Sequence, residues 1–253
     1  MTIAAMLAVM AVLQAAPSQD KAAQPSPASA SAPAATPTPS VAGMRIATTL
    51  ASEEVVRTAT AKVLRDQVPK AFAKDPNFQE MERSFPGITN EFLNVMEPIV
   101  VAATIKRLPI YQAKVAALFD RRMNPSELNA TGDFYASPAG RRVVALAVAG
   151  LDFGPILKRQ IESEGKAAIA SGEISSAAEA AVAPAMKQLD PSEMKVLIAF
   201  GSSPAGLKVN QMRAELALLA AEENNRSDPA TEAEIAKAVE ALIKLRVSAE
   251  AKK

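Results

Sequence analysis

Asn124–Val143 reads NPSELNATGDFYASPAGRRV, and Asp190–Val209 reads DPSEMKVLIAFGSSPAGLKV. Aligned at an offset of 66 residues, the two stretches share Pro, Ser, Glu, Phe, Ser, Pro, Ala, Gly and Val without a gap. Recurrence at a fixed period marks a repeated structural unit. Each shared residue has a physical task. Asn124 or Asp190 stands as a helix N-cap, with Pro125 or Pro191 at the first helical position, where a missing N–H costs nothing. Glu127 or Glu193 follows three residues after the cap. There its carboxylate can reach back to the cap amide, and the helix dipole favours the charge. Phe134 or Phe200 closes this helix with a large apolar anchor. Ser137 or Ser203 caps a second helix that begins at Pro138 or Pro204. Gly140 or Gly206 comes next, although a helical glycine costs about 1 kcal/mol against alanine. Its presence in both copies predicts that the first helix, or its Phe, crosses close to it. The unit is a helix–turn–helix corner, present twice.

Outward from the corners the pattern stays helical. Asp75-Pro76 and Asp228-Pro229 repeat the cap-then-proline signal. Ile46, Leu50, Val56 and Val63 lie near helical spacing, as do Val209, Met212, Leu216 and Leu219. Ile235, Val239, Leu242 and Ile243 form one face of a C-terminal helix over Pro229–Ala251. Pro98 and Pro184 lack a preceding cap and are expected to kink or end helices. No stretch alternates apolar and polar residues over strand length. The expected fold is all-α: a multi-helix bundle with a duplicated helix–turn–helix corner, spanning 44–253.

The N-terminal part has a different character. Met1–Leu13, MTIAAMLAVMAVL, is too short to span a bilayer, which needs about 20 apolar residues. It fits the apolar core of a signal peptide over 1–15, with Gln14, Ala15 and Ala16 offering a small-residue cleavage site. Only the terminal amine is positive ahead of it. A buried N-terminal helix is the competing reading, and the Pro/Ser-rich stretch that follows at once favours the leader. Residues 16–43, rich in Ala, Pro, Ser and Thr, hold almost no large apolar side chain. They are expected to form a disordered, polyproline-like tether. The expected destination is the periplasm or the medium.

Composition removes several kinds of function. The 253-residue chain has no Cys and no His. Disulfides, thiolate chemistry and the commonest base and metal ligand near neutral pH are therefore missing. A net charge of +1 and 4% aromatic residues give no field to steer nucleic acid and few faces to stack bases on. The helix–turn–helix is not read as a DNA-binding element either. Its second helix, Val143 to Leu151, is nearly all apolar, whereas a recognition helix must present polar side chains to base edges.

At the first copy, SELNATGDFYASPAGRRV resembles the signature of an uncharacterised exported bacterial family, domain of unknown function 2059. That family's helical domain carries an acidic-capped helix running into a Phe-Tyr-x-Ser/Thr-Pro-x-Gly turn. Here the matching positions are Glu127, Leu128, Phe134, Tyr135, Ser137, Pro138 and Gly140. The second copy departs from the signature, with Gly201 where Tyr would stand. The resemblance implies an all-α fold and export, and brings no activity or catalytic residue with it.

The remaining candidates are weighed one by one. Ser192 and Lys195 have the S-x-x-K spacing of some acyl-enzymes, but the first copy has Ser126 and Asn129, so two first-turn surface residues are expected. Arg142 and Lys208 stand where a cation opposes the helix dipole, which could signal an anion site. The simpler expectation pairs each with Glu127 or Glu193 of its own corner. The clustered acids Glu53, Glu54, Glu162, Glu164, Glu222 and Glu223 are expected on solvated faces. The C-terminal helix is expected to dock on the bundle rather than lie on a membrane. No catalytic residue, metal site or cofactor is expected. The function expected is a non-enzymatic periplasmic protein that binds an envelope protein or itself. The alternatives are a carrier of an apolar small molecule or lipid and, weakest, a hydrolase using carboxylates.

Overall fold

A computed structural model describes residues 38–163 and 165–250. The leader reading, and nearly all of the tether, fall outside these residues. The described residues contain helices and no strand. The elements are α1 (Val41–Leu50), α2 (Glu53–Lys62), a π-helical turn (Val63–Gln67), α3 (Val68–Phe72), α4 (Pro76–Ser84) and α5 (Ile88–Arg122). There follow α6 (Pro125–Ala136), α7 (Pro138–Gly150), α8 (Gly154–Glu162), α9 (Ser171–Met186), α10 (Pro191–Gly201), α11 (Pro204–Gln211), α12 (Arg213–Asn224) and α13 (Pro229–Glu250).

The starts follow the cap chemistry. Each of the six residues read as a cap before proline precedes a helix that begins at that proline. Asp75 Oδ1 accepts from the amides of Asn77 and Phe78, and Asp228 Oδ1 accepts from Thr231 N. Helical structure also begins three residues before the expected end of the tether. Ser40 Oγ accepts from Gly43 N at 3.0 Å, while its own N–H and hydroxyl donate to the Asp120 carboxylate at 2.6 and 2.5 Å. A capping serine held by a distant acid ties α1 to α5.

α5 is the spine. Its buried residues Leu108, Tyr111, Val115, Leu118 and Phe119 enter one core shared with α1, α2 and both corners. Burying each such side chain contributes about 1.5–3 kcal/mol. Pro98 and Pro109 lie inside α5, and Pro184 inside α9, so these prolines end neither helix. All three are exposed, so each missing N–H falls on the solvent side. A second fixture joins α5 to α12. Glu223, fully buried, accepts from Arg107 at 2.7 Å and from Lys114 at 2.9 Å. Arg107 also donates to the Glu223 carbonyl, closing the C-terminus of α12 with a cation. Burial alone would push the Glu223 carboxyl up. The hydrogen bonds from Lys114 and Arg107 outweigh it and hold the group below the ordinary range. This acid was expected on a solvated face. Its side chain lies inward because α12 packs against α5.

α13 docks along α5, as expected, with Arg246 bound to the Glu91 carboxylate. Its apolar stripe is only half covered, and Ile243 is 45% exposed. No described helix is long and apolar enough to cross a membrane.

Candidate functional site

The two corners have the same local construction. In the first, Asn124 N donates to Glu127 Oε2 at 2.9 Å and Glu127 N donates to Asn124 Oδ1 at 3.0 Å. In the second, Asp190 and Glu193 make the same pair of bonds at 3.0 and 2.8 Å. Ser137 Oγ donates to Phe134 O at 2.6 Å and accepts from Gly140 N at 3.0 Å. Ser203 stands in the same relation to Phe200 O and Gly206 N, at 2.6 and 3.1 Å. One hydroxyl thus ends one helix and starts the next, which brings the Phe carbonyl against the glycine. The close crossing anticipated at Gly140 and Gly206 is made by the Phe backbone rather than its ring.

The corners meet each other. The rings of Phe134 and Phe200 stack with centroids 3.9 Å apart and planes 1° from parallel. The first helix of copy one, α6, packs on the second helix of copy two, α11. Reciprocally, α10 of copy two packs on α7 of copy one. Reciprocal contacts of this kind are what a two-fold axis generates. The duplicated sequence therefore folds as an internal pseudo-dimer with the two Phe rings at its centre. Tyr135, buried, sets its edge against both rings. The second copy has Gly201 in its place, so the centre holds one tyrosine. Burial pushes the Tyr135 hydroxyl well above the ordinary phenol range.

The ions follow the pseudo-dimer and not the single corner. Lys208 Nζ lies 3.1 Å from Glu127 Oε2, in the other copy, and donates to Arg122 O at 3.1 Å. The Asn124 amide first, and then Lys208, hold the Glu127 carboxyl below the ordinary range. Arg142 is exposed and makes no hydrogen bond or ion pair among the described residues. The expected pairs within one corner, Arg142 with Glu127 and Lys208 with Glu193, are thus absent. α11 crosses onto α6 and carries Lys208 to the acid of the first copy. An anion seat at these cations is not supported either. Lys208 is engaged, and Ser137 and Ser203 already fill the amides of Gly140 and Gly206.

The pseudo-symmetry fails on the outside. In copy one, α1 covers α6. Arg45 lies over Gly132, reaches Asp133 Oδ1 at 3.0 Å and donates to Asn129 O at 3.1 Å. Adding 66 carries Ala130, Gly132 and Arg141 to Val196, Ile198 and Leu207. These three are 43%, 49% and 47% exposed. Among the described residues, no helix packs on α10 as α1 packs on α6. Of these positions only Gly132 is covered in the first copy, where Ala130 and Arg141 are exposed too; the second copy differs in leaving Ile198 uncovered and in being more apolar at all three. Sequence reading missed it because the repeat was compared for its identities, and the signal lies in the differences.

The other candidates do not assemble. Ser192 Oγ donates to Asp190 Oδ1 at 2.6 Å, and Lys195 is exposed with no hydrogen-bond or ion-pair partner among the described residues. Glu53 pairs with Arg57 and Glu162 with Lys158, while Glu54 and Glu222 are exposed. Glu164 lies outside the described residues. Among the described residues no three acids gather where they could hold a metal ion. An open cleft of about 450 Å³ lies between α2 and α7, with Val55, Val144 and Val148 on its walls and Glu54 and Arg141 on its lining.

No curated protein and no solved structure matched the chain. Residues 112–149 match the model of the bacterial family described as "Uncharacterized protein conserved in bacteria (DUF2059)". That match runs from the C-terminal part of α5 through α6 and nearly all of α7. The first corner, with its capping box, its Phe-Tyr pair and its glycine turn, is the segment in which this chain is similar to that family.

Proposed function

We propose that this chain is an exported, periplasmic helical module without catalytic activity, which docks an α-helix of another envelope protein on the open face of α10. One observation carries the proposal. α1 packs on α6 of copy one and covers Gly132, whereas no described helix packs so on α10 and the counterpart Ile198 is 49% exposed, with Val196 and Leu207 also in water. The covering of copy one indicates the chemistry of the occupant: an amphipathic helix such as α1. With Ile198 in place of Gly132, the second face suits an apolar ridge rather than an arginine. The compartment rests on the leader read in Met1–Leu13.

The test places a photo-cross-linking residue at position 198, and separately at 132, in cells, and maps the linked peptide. Cross-links from 198 to one amphipathic helix of an envelope protein, lost on Val196→Glu, support the proposal. Cross-links only to a second copy of this chain, or none at all, overturn it. Recovery of the protein in the cytoplasmic fraction would overturn the compartment.

A carrier reading has one favouring observation, the apolar wall of the cleft between α2 and α7. Native mass spectrometry of protein purified without detergent would then show bound lipid, lost on Val144→Glu. A ligand-free spectrum rejects it.

A further inference from the structure

The π-helical turn has a local cause. Pro69 has no N–H to give, and the Val68 N–H reaches back five residues to Val63 O, so the chain widens by one residue just before the proline. The widening turns Gln67 inward. Its side chain is buried, donates to Leu151 O at 2.8 Å and accepts from Phe153 N at 2.6 Å. Both ends of one amide thereby fix the α7–α8 loop against the turn, and α3 packs against α8. Between them lies an open cleft of about 900 Å³.

Its lining is basic. Lys62, Arg65, Lys70, Lys74 and Lys158 face it, against the carboxylates of Asp66 and Asp152. That excess of three positive side chains sits in a chain whose net charge is +1. Some of this charge is answered. Arg65 is held by Glu97 at 2.6 and 2.7 Å, Lys62 by Asp66 at 3.4 Å and Lys158 by Glu162 at 3.5 Å. Asp152 accepts from Gly154 N at 2.8 Å, so the first amide of α8 is already engaged. Lys70 and Lys74 are different. Lys70 lies in α3 and Lys74 in the turn that follows it; both are exposed, line the cleft and have no ion-pair or hydrogen-bond partner among the described residues. Like charges that line one cleft repel, and an anion between them relieves the repulsion.

We propose that this cleft binds a phosphate-bearing anion of two or more charges, seated between Lys70 and Lys74 with Lys158 opposite. Lysine ammoniums serve phosphate as point charges, and several cations converging in one concavity raise the local anion concentration. The same chemistry could come from a soluble phosphorylated compound or from the headgroup of an anionic lipid.

Two probes separate the sources. Inorganic pyrophosphate is titrated calorimetrically at low salt. Vesicles of phosphatidylcholine, with and without phosphatidylglycerol, are tested by flotation. Saturable pyrophosphate binding assigns a soluble ligand, and flotation only with phosphatidylglycerol assigns a headgroup. In either case Lys70→Glu with Lys74→Glu should weaken binding at least tenfold, while Lys237→Glu on α13, with its similar exposure, should leave it unchanged. Circular dichroism checks that the double variant stays helical. Binding of neither probe, binding that survives the double variant, or equal loss with Lys237→Glu overturns the proposal.

Discussion

The carbonyl oxygen of Phe134 lies 2.0 Å from where a β-carbon on residue 140 would stand, and Phe200 and Gly206 repeat the same 2.0 Å relationship. A heavy atom cannot be accommodated there without moving backbone. The carbonyl is held in place by the Ser137 hydroxyl, so it has little room to yield. Gly140→Ala and Gly206→Ala should each destabilise the protein by about 1–3 kcal/mol or more, in contrast to the usual gain from removing a helical glycine. Gly172, with open space around it in α9, is the control. Gly172→Ala should be neutral or stabilising by up to about 1 kcal/mol. Urea unfolding of the three variants checks the order.

The stacked Phe rings join the copies, so their contributions should not add. Phe134→Ala and Phe200→Ala should each cost about 3–5 kcal/mol. The double variant should cost less than the two together, by a coupling of about 0.5–1.5 kcal/mol. If either alanine variant fails to fold, the same cycle with leucine at both positions gives the coupling. Additive losses would mean that the corners fold independently.

Glu127 caps α6 and receives Lys208 from the other copy. Glu127→Gln retains a side chain that can bond the Asn124 amide but loses the charge, and Glu127→Ala loses both. Thermal stability should fall in the order parent, Glu127→Gln, Glu127→Ala. Lys208→Ala should lower it slightly, because surface pairs contribute little. Arg142→Ala, at the equivalent position without a partner, should leave it unchanged. A loss with Arg142→Ala equal to that with Lys208→Ala would contradict the observed asymmetry.

Breaking the buried Arg107–Glu223 pair strands a charge. Arg107→Ala and Glu223→Ala should each cost about 3–5 kcal/mol. Arg107→Met with Glu223→Met, which removes both charges while keeping volume, should recover most of that loss. Chemical denaturation of the three variants reads it out.

The pH dependence follows from the same groups. Glu82, Glu127, Asp190, Glu223 and Asp228 are all held below the ordinary carboxylate range. A depressed acid stabilises the fold above its unfolded-state value, and that stability is lost as pH falls through the lower folded-state value. Loss should therefore begin below about pH 4.5 and continue downward. With no His, and with Tyr111 and Tyr135 pushed up by burial, stability should be nearly flat from about pH 6 to 9. A transition near pH 6.5 in thermal melts would contradict this.

Much of this was legible in the chain. The Asn124, Asp190, Ser137 and Ser203 caps, the two glutamate boxes and the helical class rest on interactions within a few residues, and a few residues of sequence specify them. Phe134 and Phe200 were legible as anchors, but not what they anchor to. The destination of Lys208, the burial of Glu223 and the cleft beside Gln67 join positions 81, 116 and 84 residues apart. No local pattern encodes such pairings.

By itself, the sequence determined that there would be two capped corners of one design, each needing a glycine where a carbonyl must pass. Cap geometry and helical period are properties of neighbouring residues and hold wherever the segment is placed. Only the tertiary structure decided that the corners face each other across Phe134 and Phe200, and that α1 covers one outer face while leaving Ile198 in water. Those outcomes depend on how a shared core is best filled. That is a property of all the helices together, and no single stretch can carry it.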